Sequence, residues 1–176
     1  MTEFLGPLEL VGDRWIIGDS EREGGSCLVL GPEGFAHHGP GAPERVALVP
    51  WSRFIDVRIH ATYRAWLATR TMGVVGVLGH NHMETGRSGC SVRGTLRHPY
   101  ENWSVNYTHH ERPYTSAHLF MLRALCAKVS RAKAPHRLGD REWLGLAVAR
   151  LAPLHGWRTR PQATREVNAV IDGLGF

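Results

Sequence analysis

The chain is poor in cysteine and in lysine, and it contains no long apolar run. Its three cysteines, Cys27, Cys90 and Cys126, lie far apart, form no CxxC pair and are odd in number. That pattern speaks against a disulfide framework and points to reduced, buried thiols in a cytoplasmic protein. Without a stretch of about 18 apolar residues no membrane-spanning helix is expected. The N-terminal MTEFLGPLEL has neither the basic start nor the long apolar core of a secretory leader. Hydrophobic residues at 43% and charged residues at 21% are ordinary values, which excludes a disordered chain. A 176-residue chain can bury roughly 70% of its unfolded surface and needs no metal or disulfide to hold it. Nineteen of the 21 basic residues are arginine, and the net charge is +5. The excess is local: residues 1–110 hold 10 basic and 11 acidic side chains, whereas residues 111–176 hold 11 and 5.

What is present is β patterning followed by helical patterning. Residues 27–59, CLVLGPEGFAHHGPGAPERVALVPWSRFIDVRI, read as an antiparallel meander. An apolar strand enters the turn Gly31-Pro32-Glu33-Gly34, where Pro presets φ and Gly is expected to take the position needing φ > 0. A strand from Phe35, one over Val46–Val49 and one over Phe54–Ile59 follow, with Pro50-Trp51-Ser52 as the break. Leu8–Val11 and Trp15–Ile17 predict a strand or hairpin in the first 26 residues. Gly73–Leu78 reads as a buried strand. Cys90, Val92, Gly94 and Leu96 alternate with polar residues, as do Trp103, Val105 and Tyr107, so these two runs predict a half-buried hairpin. The period then changes. Thr115 or Ser116 caps a helix striped by Leu119, Leu122, Cys126 and Val129. Asp140 caps a second helix, and Pro161 opens a third whose stripe is Val167, Val170, Ile171 and Leu174.

Seven strands from Cys27 and then an amphipathic helix make an α+β, mainly β order. That order, together with LVLGPEGFAHHG and VALVPWSRFIDVRI, resembles the bacterial pleckstrin-homology-like and GRAM-like domains. The resemblance implies a seven-stranded antiparallel barrel or sandwich over residues 27–134, capped by the first long helix. Residues 1–26 would be an N-terminal extension and 135–176 a helical hairpin. It further implies a non-catalytic binding scaffold without a cofactor. The first hairpin turn lacks the Lys or Arg that a phosphoinositide headgroup requires. A protein partner, or a second copy of the chain, is the expected ligand.

Two other constellations carry chemistry. His80-Asn81-His82 on a strand end would aim two imidazoles to one side. With Glu84 and the later His98 they are similar to the HxH, Glu and His ligands of the cupins, although Glu84 follows His82 too closely. The alternative they imply is a divalent-metal enzyme using His80, His82 and His98. Arg123, Lys128, Arg131, Lys133 and Arg137 fall on or just beyond the first long helix, and a basic helix can track phosphates, so anion or nucleic-acid contact is the further alternative. His37-His38 and His109-His110 are read as surface or half-buried structural pairs. No GxSxG elbow, phosphate loop or dinucleotide fingerprint is present.

Overall fold

The structure, a computed structural model, describes residues 4–19, 25–39, 45–61, 90–110, 112–156 and 159–175. Within them the chain is α+β and mainly sheet. Strands β1 (Phe4–Leu5), β2 (Leu8–Val11), β3 (Arg14–Ile17), β4 (Cys27–Leu30), β5 (Gly34–His38) and β6 (Arg45–Pro50) form one antiparallel sheet in sequence order. Strands β7 (Phe54–His60), β8 (Ser91–Leu96) and β9 (Glu101–Asn106) form a second. Helices α1 (Ser116–Arg131), α2 (Arg141–Leu151) and α3 (Arg160–Asp172) follow.

Local chemistry accounts for these elements. Gly12, at φ 62°, opens the two-residue turn that pairs Val11 with Arg14, as a hairpin with glycine first requires. In the β4–β5 turn Gly31 and Gly34 exchange both backbone hydrogen bonds, at 3.1 and 3.3 Å. Gly34 does not adopt the positive φ expected of it. Its requirement is steric instead: a Cβ there would lie 2.0 Å from the Val49 carbonyl oxygen of β6. The break at Pro50 is a short 3-10 turn, Trp51–Arg53. All three helices are capped by side chains, Thr115, Asp140 and Thr159, the last in a reciprocal capping box with Gln162.

The first 26 residues supply three strands to the same sheet as β4–β6. Six of the seven strands expected after residue 27 are present, and the one expected at 73–78 lies outside the described residues. The two sheets do not pair into a closed barrel among the described residues. They are spliced at one corner: the Asp19 N–H donates to the Thr108 carbonyl and the Thr108 N–H to the Ser26 carbonyl, at 3.0 and 2.9 Å. Trp51 ties the other side, donating its indole N–H to the Gly31 carbonyl at 2.8 Å.

One apolar cluster runs through all the layers. Trp15, Phe35, Phe54 and Tyr107 meet Leu119, Leu122, Leu125 and Val129 of α1. Leu144 and Val148 of α2 and Val167 and Ile171 of α3 extend it. Burial of this kind is the dominant stabilising term. The three cysteines are buried and form no disulfide, and burial pushes the Cys126 thiol up to about 12, so it is held as an unreactive thiol.

Candidate functional site

A groove of about 670 Å³ lies between β7, α1 and α3. Its β7 wall begins at an irregularity between Phe54 and Asp56. There the Asp56 carboxylate takes over a ladder position, accepting the Thr95 N–H at 2.9 Å. Its second oxygen accepts from Arg58 Nε and Nη2 at 3.0 and 2.6 Å, which lays that guanidinium along the strand. Val57 and Ile59 alternate inward and are buried.

The α1 wall closes the outer edge of β7. Ser130 Oγ accepts the Val57 N–H at 3.0 Å. Arg123 donates from Nε to the Ile59 carbonyl at 2.8 Å and from Nη2 to the Ala61 carbonyl at 3.2 Å. Side chains of a helix thus satisfy strand groups that would otherwise template a further strand. The i, i+4, i+7, i+11 spacing of Phe120, Ala124, Ala127 and Arg131 puts those four residues along one face, and all line the groove.

Helix α3 lies beside α1 in parallel. Arg160, at its first position, stands 5.5 Å over the Phe120 ring, and at the far end Asp172 pairs with Lys128 at 2.9 Å. Arg160 and Thr164 complete the lining. Among the described residues that line the groove, four arginines (58, 123, 131 and 160) therefore surround a floor of Phe120, Ala124 and Ala127, with Asp56 as the one carboxylate. Such a site can bind an anionic group through planar guanidinium forks.

The five basic residues singled out from sequence separate here. Arg123 and Arg131 line the groove. Lys128 is paired with Asp172 and Arg137 with Asp140, at 3.2 Å. Lys133 is exposed in the left-handed turn after α1. Arg58 and Arg160 are not among those five. One sits on a strand and the other at a helix start, and only tertiary packing brings them to the same groove.

Of the metal candidates, His98 is exposed in the β8–β9 turn, and His80, His82 and Glu84 lie outside the described residues. Among the described residues no group of three or more His, Cys, Asp or Glu side chains could hold a metal ion. Nor is any helix among them long and apolar enough to cross a membrane.

A second polar cluster sits at the start of α1. His109 and His110, read from sequence as strand-borne surface or half-buried residues, lie beyond the end of β9 and are buried. His109 accepts at Nε2 from the Tyr114 hydroxyl at 3.2 Å, with the rings stacked. His110 donates from Nε2 to the Pro7 carbonyl at 3.1 Å and lies 3.6 Å from Glu9, which also receives Arg112 at 2.7 Å. His118 donates to the Ala152 carbonyl at 2.9 Å, and its Nδ1 has no hydrogen-bond partner. Burial lowers the pKa of both His110 and His118, with Arg112 adding to it in each case. Burial thus favours the neutral form of His110 and of His118.

Comparison of the chain with protein-family profiles, curated proteins and solved structures finds no match.

Proposed function

We propose that this protein is a non-catalytic interaction scaffold that engages a protein partner through the β7–α1–α3 groove. The observation that carries the reading is the groove itself. It is concave, apolar at its floor and ringed by arginine, and it is built on a strand and two helices rather than on loops, as a preorganised recognition site should be. On this reading β4–β9 and α1 form a pleckstrin-homology-like unit. The order of strands followed by a helix that packs on β7 supports that assignment. The same reading makes the protein cytoplasmic and free of any cofactor. Strand addition at β7 is not the binding mode, because Ser130 and Arg123 already occupy that edge.

A photoreactive benzoylphenylalanine placed at Ala127, exposed in the groove, tests the proposal against the same group at Leu146, exposed on α2. Irradiated in cells, the Ala127 position is expected to give a discrete protein adduct that the Leu146 position does not. No adduct from Ala127, or identical adducts from both positions, would contradict it.

A further inference from the structure

From the chemistry of the groove we infer that the partner's contact segment is acidic: a peptide stretch with several Asp or Glu carboxylates flanking an apolar side chain. The inference rests on the scaffold reading and names the ligand class of the same groove.

The charge balance of the lining argues for it. Among the described lining residues four guanidinium groups face one carboxylate, Asp56, and that carboxylate is already engaged by Arg58 and the Thr95 amide. Arg131 and Arg160 are exposed, and they approach the groove from the end of one helix and the start of another. Carboxylates are matched by such forks two bonds at a time. Arg93, the register partner of Arg58 on β8, is exposed as well and extends the positive field along the sheet.

The floor argues for a peptide rather than a nucleic acid. Phe120, Ala124 and Ala127 offer a small apolar seat, the right size for one aliphatic or aromatic side chain. A nucleic acid would need cations continuing along a track. Of the residues that would continue it along α1 and beyond, Lys128 and Arg137 are neutralised by Asp172 and Asp140, which leaves Lys133 in the turn after the helix rather than an unbroken row.

The test is fluorescence anisotropy of the full chain with three labelled probes. They are a 12-residue peptide alternating Glu with Leu and Phe, the same peptide with Lys for Glu, and a 12-nucleotide single-stranded DNA. The acidic peptide is expected to bind saturably and to weaken as salt rises from about 0.05 to 0.5 M, where screening lengths fall below about 10 Å. Arg131→Glu/Arg160→Glu is expected to weaken it about tenfold or more, and the milder Arg131→Gln/Arg160→Gln to give an intermediate loss, which guards against a folding defect. Tighter binding of DNA, abolished by the same variants, would overturn the inference in favour of nucleic acid. Binding of the Lys peptide unaffected by the variants would overturn the acidic class while leaving the scaffold reading standing. No saturable binding of any probe would overturn the inference and count against the groove itself.

Discussion

At the start of α1, His109, His110, His118, Arg112 and Glu9 form a knot in which polar groups are turned inward. The three histidines are each 5–7% exposed, and Arg112 is spread over the Phe4 ring while it holds Glu9. Along the rest of the helix, Arg131 and its neighbours Arg58 and Arg160 are exposed around a groove. Both clusters join α1 to distant parts of the chain, yet they use their donors differently. The knot spends its hydrogen bonds on the Pro7 and Ala152 carbonyls, so it fastens β1–β2 and the end of α2 to the helix. In the groove Arg58 is held by Asp56 and Arg131 donates from Nε to the Ala127 carbonyl, while the remaining guanidinium edges of Arg131 and Arg160 face solvent and are left for a ligand. Arg123 belongs to the first kind although it lines the second site, because its donors go to Ile59 and Ala61.

The knot is most sensitive at Arg112. Arg112→Ala removes the partner that holds Glu9, which is 17% exposed, and is expected to destabilise the fold by about 2–4 kcal/mol in urea denaturation. Arg123→Ala, measured in the same way, should cost about 1–3 kcal/mol through two carbonyls that lose their charged donor.

Acid should loosen the knot before it touches the groove. The folded chain lowers the pKa of His110 and His118, and the positive end of α1 opposes a charge on His118 as well. Unfolded histidine takes up a proton near pH 6.5, so below that pH the unfolded state binds more protons than the folded one. Stability is therefore full above about pH 6.5 and falls as the pH drops toward the folded pKa values, by at most about 1.4 kcal/mol per pH unit for each ring. Melting curves between pH 8 and 5 should show this slope, and His110→Gln/His118→Gln should flatten it. The smallest stability effect belongs to the groove: Arg131→Ala and Arg160→Ala are each expected to stay within about 0.5 kcal/mol of the parent.

Much of the fold is legible in the sequence because its signals are local. The stripe Leu119, Leu122, Cys126 and Val129 is wholly buried. Asp140 caps α2, Pro161 sits in the first turn of α3, and the alternation of residues 90–96 becomes β8 facing the core with Arg93 outside. Strand β1, only two residues long, carries no period of its own and is defined by pairing with β2. Gly34 was legible as a required glycine but not for its reason, since the approach of Val49 is a tertiary contact. The groove was half legible. Arg123 and Arg131 stand out on a helix, whereas Arg58 and Arg160 are separated by about a hundred residues and meet only because α3 runs parallel to α1. The burial of His110 was hidden for the same reason: the groups that hold it, Pro7 and Glu9, come from the opposite end of the chain.

Hydrogen–deuterium exchange of the full chain, with and without the acidic Glu/Leu/Phe peptide, distinguishes the groove from the knot. Peptide protection is expected to be confined to Asp56–His60, the second half of α1 and the first turns of α3, with the knot around His110 and His118 unchanged. Protection at β9 or α2 instead, or spread evenly over the chain, would contradict the separation of a recognition site from a structural one.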